Sequence, residues 1–96
     1  MDKSVKSSPE LCKHCFDVLI AELNKESHPP FPSSISAFES PLFVTWTIDG
    51  DDLRGCIGTF SPGNIKTLLP KYALTTALKD SRFKPISLKE VERLSC

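Results

Sequence analysis

The sequence predicts an α+β fold, a small antiparallel hairpin or sheet with helices packed on one face. Three observations carry that expectation. Leu11, Cys12, Cys15, Phe16, Leu19 and Leu23 recur at spacings of three and four, the apolar stripe of an amphipathic helix. Leu42–Ile48 and Leu53–Phe60 are rich in β-branched and aromatic residues, and Asp49-Gly50-Asp51-Asp52 between them reads as a hairpin turn. Helical spacing then resumes with Leu68/Leu69, Tyr72, Ala73, Thr76 and Ala77. Helices on both sides of a hairpin imply a layered arrangement.

Each element has a local reason. Residues 1–7 read as a disordered lead-in, and residues 8–96 as a partial domain. Ser7 or Ser8 caps the first helix, Pro9 fits its first turn and Glu10 complements its dipole. The helix runs to about Asn24, with Lys13, His14, Asp17, Glu22 and Lys25 on its polar face. Residues 26–41 form a Pro/Ser-rich loop, which Phe31, Ile35 and Phe38 anchor to the body. In the first strand Leu42, Val44, Trp46 and Ile48 share a face. In the second, Arg54, Cys56, Gly58 and Phe60 share one, opposite Leu53, Gly55, Ile57 and Thr59. Pro70 predicts a short first turn with the main second helix starting near it. Ser87-Leu88-Lys89-Glu90 is a capping-box pattern that opens a short helix through Arg93.

Composition narrows the function. Ninety-six residues make one domain at most, and twelve basic residues balance twelve acidic ones without a block of either sign. The electrostatic footprint of a nucleic-acid or acidic-membrane binder is missing, so neither partner is expected. No apolar run approaches the ~18 residues of a membrane span, and the polar start lacks a signal-peptide core. The expectation is an intracellular protein, cytoplasmic or nuclear, whose four cysteines are reduced. No cofactor motif is present.

The candidate site centres on Leu53-Arg54-Gly55-Cys56-Ile57-Gly58-Thr59-Phe60. Two glycines inside a strand imply close approach of a ligand or another backbone at Gly55 and Gly58. Arg54 beside Cys56 would lower the thiol's pKa and orient an anion. Against this, a buried Cys56 with glycines that make room for a crossing helix is the favoured reading of those positions. Asp80 opposes the dipole at the end of the second helix, so it is expected to pair with Arg54 or to share a polar cleft with Arg54 and Arg82. Cys12-Lys13-His14-Cys15 resembles half a zinc site, but both thiols lie on the apolar stripe and no second knuckle exists, so no metal is assigned. His14 and His28 are read as solvent-facing, and Trp46 and Tyr72 as core.

Leu53–Phe60, together with Ala77-Leu78-Lys79-Asp80-Ser81-Arg82-Phe83, resembles the AMMECR family, named for a chromosomal region linked to Alport syndrome, midface hypoplasia and elliptocytosis. The resemblance starts at Ser-Pro-Glu-Leu-Cys and runs to Leu94-Ser95-Cys96. It implies an α+β fold with the Arg-Gly-Cys strand near a cleft, in a domain roughly twice this length that continues with further strands. The activity of the family is unsettled. Some members sit beside, or are fused to, Memo-type proteins and radical S-adenosylmethionine enzymes. On this reading the chain is the amino-terminal half of such a domain, an interaction or regulatory module whose partner is another protein or the missing carboxyl-terminal half. The alternative is an enzyme or enzyme subunit that needs that half. Its site would hold an anionic group with Arg54 and Arg82, use Cys56 as ligand or nucleophile, and orient the arginine with Asp80.

Overall fold

A computed structural model describes residues 8–96; the expected lead-in over 1–7 lies outside the described residues. Helix α1 spans Pro9–Leu23, strand β1 Glu39–Ile48, strand β2 Asp52–Asn64 and helix α2 Ile65–Lys79. A 3-10 helix over Leu88–Arg93 and a short strand β3, Leu94–Ser95, complete the fold. The sheet is antiparallel in the order β2-β1-β3, with the helices on the face that carries Val44 and Trp46.

Local chemistry sets the helix ends. The Ser8 hydroxyl accepts the Leu11 N–H at 3.3 Å, Pro9 opens α1 and Asn24 closes it. Leu11, Cys15, Val18 and Leu19 bury the stripe. The Asn64 side chain accepts the Lys66 N–H at 2.9 Å and starts α2. That start corrects the expected break, because Pro70 sits inside a continuous helix. Pro70 lies in the second turn, where it forfeits one bond to the Lys66 carbonyl. Ile65 and Leu69 before it, and Ala73 and Ala77 after it, bury one continuous face.

The hairpin turns at Asp49 and Gly50, both at positive φ (53° and 95°). Arg93 pairs with the Asp49 carboxylate, and the Arg93 carbonyl accepts the Asp49 N–H at 2.9 Å, so the turn is tied to the 3-10 helix. Beyond the expected strand ends, β2 runs on to Asn64 and β3 adds two rungs, Thr47↔Ser95 and Ile48↔Leu94.

Trp46 is fully buried and anchors the core. Its indole N–H reaches the Ala73 carbonyl at 3.1 Å, and Phe16 meets its ring edge-on with centroids 4.9 Å apart. Phe31, Ile35 and Phe38 pack against this core and hold the Pro/Ser-rich loop down. His14 corrects an expectation: it is 4% exposed, with its ring edge against Phe31 at 5.3 Å. Burial lowers its pKa. The loop folds back over the face that helical periodicity alone assigns to solvent.

Candidate functional site

The two antiparallel strands pair Trp46 with Gly55 and Thr47 with Leu53, so Arg54 is the extra residue of a β-bulge. The bulge takes Arg54 out of the alternation that would have placed it with Cys56, Gly58 and Phe60. Its guanidinium turns instead to the 3-10 helix, donating from Nε to Glu90 Oε1 at 2.8 Å and from Nη2 to Glu90 Oε2 at 3.2 Å. This corrects the expected Arg54–Asp80 pair. Glu90 is also the acid of its own capping box, accepting the Ser87 N–H at 2.8 Å. Hydrogen bonds from Arg54 come first among the causes that lower the Glu90 pKa.

Asp80, the C-cap of α2, pairs with its near neighbour. Arg82 donates from Nε to Asp80 Oδ1 at 3.0 Å and from Nη2 to Oδ2 at 2.6 Å. Asp80 Oδ2 also accepts the Cys56 N–H at 3.1 Å, and the Cys56 carbonyl accepts Arg82 Nη2 at 3.3 Å. The Asp80–Arg82 pair thus satisfies the outward backbone groups of Cys56 on the free edge of β2, where a further strand would otherwise bond. Arg82 and the Cys56 N–H together hold the Asp80 carboxyl well below the usual carboxylate range. This explains an aspartate at a helix C-terminus: the two bonded partners outweigh the unfavourable dipole.

Phe83 lies between the two ion pairs, with Arg54 Cζ 5.9 Å and Arg82 Cζ 5.4 Å from its ring centroid. Arg54, Cys56, Asp80 and Arg82 are therefore brought together, but each guanidinium already holds a carboxylate. The cluster is a clasp that joins β2, the end of α2 and the 3-10 helix. Glu90 was missing from the sequence-derived set. Its capping-box pattern was visible, but nothing in the local spacing tied it to an arginine 36 residues away.

The glycines have structural neighbours. A Cβ on Gly55 would lie 2.7 Å from the Thr76 carbonyl oxygen, so α2 crosses β2 at contact distance there. At Gly58 it would lie 2.2 Å from the Leu42 carbonyl oxygen and 2.6 Å from the Phe43 ring, which lies across the glycine. The Cys56 thiol is half-buried on the opposite face of the sheet from the helices, where it accepts the Thr45 hydroxyl at 3.2 Å.

All four cysteines are free. Cys15 is in the core. Cys12 donates to the Cys96 carbonyl at 3.0 Å, and burial pushes its thiol up to about 11. Among the described residues no three His, Cys, Asp or Glu side chains converge on a metal position, and no helix is long and apolar enough to cross a membrane.

Comparison with known proteins places this arrangement. An uncharacterized protein of Arabidopsis thaliana is 42% identical over 99 residues, covering 96% of this chain and 44% of its own length. One from Schizosaccharomyces pombe is 37% identical over 91 residues, covering 91% of this chain and 47% of its own length. One from Kluyveromyces lactis is 57% identical over 60 residues, or 59% of this chain and 26% of its own length. The chain therefore spans less than half the length of these relatives. The model of the AMMECR1 family matches residues 12–96, from the first helix through the hairpin and the clasp to β3, and the chain belongs to the AMMECR1 family.

Proposed function

We propose that this AMMECR1 domain is an interaction module that docks a partner protein through the sheet face turned away from the helices. One observation carries this reading. Phe60 is 84% exposed and Phe43 48% exposed, and their rings meet edge-on at 5.0 Å on that face. An ordered aromatic pair held in water by Gly58 beneath it has the character of an interface anchor. Thr45 and Cys56 extend the same face, giving a small apolar patch with a hydroxyl and a thiol at its margin. The clasp supports this division of labour, because its charges are used to fix the hairpin against α2.

The rival reading, a thiol enzyme centred on Cys56, requires a base and an anion-binding arginine. Among the described residues Thr45 supplies the one hydrogen bond to the Cys56 sulfur, and Arg54 is engaged with Glu90. An unactivated thiol has little nucleophilic advantage. Alkylation of Cys56 at pH 7 at the rate of a model peptide is the expected result. A rate tenfold higher that Arg54→Ala abolishes would instead favour the enzyme, by about 1.4 kcal/mol of activation.

The direct test is binding of an environment-sensitive hydrophobic dye to the folded chain, with Trp46 fluorescence as the check on folding. The dye response is expected to fall sharply in Phe60→Ser and in Phe43→Thr while the Trp46 signal is retained. A folded chain that binds no dye, or binds it equally in both variants, overturns the reading.

A further inference from the structure

The sequence holds three Ser-Pro dipeptides, Ser8-Pro9, Ser40-Pro41 and Ser61-Pro62. Serine followed by proline is the acceptor of proline-directed protein kinases. Proline has no N–H, so it suits a kinase pocket that offers the next residue's donor no partner. The dipeptides are alike in sequence, and the fold separates them. Ser8 is the N-cap of α1, and its hydroxyl accepts the Leu11 N–H at 3.3 Å. Ser40 is half-buried at the start of β1, and its hydroxyl donates to the Pro41 carbonyl at 2.7 Å. Ser61 is exposed. Its N–H is held by the Thr59 hydroxyl, but among the described residues its own hydroxyl has no hydrogen-bond partner.

The backbone around Ser61 is presented as a kinase cleft requires. Leu42 pairs with Thr59 and Ser40 with Gly63, so Phe60, Ser61 and Pro62 stand against the single residue Pro41. The surplus on β2 makes a bulge. Neither Pro41 nor Pro62 has an N–H to give, so the ladder loses a donor on both strands at this point. All three bulge residues are exposed, and β2 is an edge strand of the sheet. The segment is therefore extended, poorly laced to β1 and open at its outer edge.

We propose that Ser61 is the acceptor site of a proline-directed serine/threonine kinase, and that its phosphate closes the aromatic docking face. In the transfer, the Ser61 hydroxyl oxygen attacks the γ-phosphorus of ATP. The bond from that phosphorus to the β–γ bridging oxygen breaks, ADP leaves with the electron pair, and the hydroxyl proton passes to a carboxylate of the kinase. The product carries about −1.5 to −2 charges at pH 7. That charge follows directly on Phe60, the ring that is 84% exposed and meets Phe43 edge-on. A phosphate at the margin of an apolar patch holds its water, and a partner that buries Phe60 would have to strip it. This regulatory half rests on the docking role proposed for that face; the acceptor assignment does not.

The test treats the folded 96-residue chain with Mg-ATP and recombinant mitogen-activated and cyclin-dependent kinases, two proline-directed classes, and maps the phosphate by mass spectrometry. Ser61 is expected to be modified about tenfold faster than Ser8 or Ser40, which must first give up a cap or a strand register. Ser61→Ala and Pro62→Ala should each abolish that label while Trp46 fluorescence is unchanged. Modification of Ser8 or Ser40 at an equal or greater rate, or no modification of the chain by either class, overturns the assignment. Dye binding then reads the regulatory half. The phosphorylated chain should give less than about half the dye response of the unmodified one, and phosphatase should restore it. An equal response with Ser61 fully phosphorylated overturns the regulation. If the unmodified chain binds no dye, the docking role falls and its regulation with it, while the phosphate map still decides the acceptor.

Discussion

Glu90 holds Arg54 with both carboxylate oxygens while also closing the first turn of its own 3-10 helix. One side chain therefore couples a strand bulge to a local cap, and the Arg54 side chain is only 12% exposed in the process. Breaking either partner leaves a largely buried charge without its counterpart.

The Arg54–Glu90 pair is accordingly expected to matter for folding. Glu90→Gln and Arg54→Met should each destabilise the chain by about 1–3 kcal/mol in urea unfolding followed by Trp46 fluorescence. The double variant should cost less than the sum of the two. Strict additivity would show that the pair contributes nothing.

Acid should loosen the clasp. Asp80 and Glu90 both titrate below their ordinary values of 3.8 and 4.5, mainly through hydrogen bonds from Arg82 and Arg54 respectively. A carboxylate whose folded pKa is depressed is protonated first in the unfolded chain as pH falls. Its stabilising contribution is complete above about pH 4.5 and is lost progressively below it, down through the folded values. Asp80→Asn should flatten the acid limb of the stability curve, and an unchanged limb would count against the assignment.

His14 acts at higher pH. Its pKa is lowered from 6.5 by burial, so the unfolded chain takes up a proton before the folded one does. Stability is expected to be level above about pH 6.5 and to fall as the pH drops through 6.5 toward the lower folded value. His14→Phe, which keeps an aromatic edge toward Phe31, should remove this slope while leaving the acid limb of the carboxylates in place.

The strand glycines should report on packing. Gly55→Ala sets a methyl 2.7 Å from the Thr76 carbonyl oxygen, and that backbone cannot step aside without shifting α2. The expected cost is about 1–3 kcal/mol. Gly58→Ala meets the Leu42 carbonyl oxygen at 2.2 Å and should also destabilise. Melting temperatures equal to that of the parent would mean that the two glycines serve something other than packing.

The sequence by itself determined where α1, the hairpin and the 3-10 cap form, and which residues of α1 and β1 face the core. The three-four spacing from Leu11 to Leu23, the alternation through Val44 and Trp46, the Asp49-Gly50 turn and the Ser87–Glu90 cap are all written in residues a few positions apart. Local sterics and side-chain polarity suffice for each of these. The tertiary structure alone decided who pairs with whom. A single extra residue at Arg54 changed its direction and gave it Glu90, which left Asp80 to Arg82 and Cys56. The fold-back of Phe31 buried His14, and the arrival of β3 beside Thr47 created a third strand. These outcomes depend on chain segments meeting across long separations, and periodicity, being local, carries no record of which segments will meet.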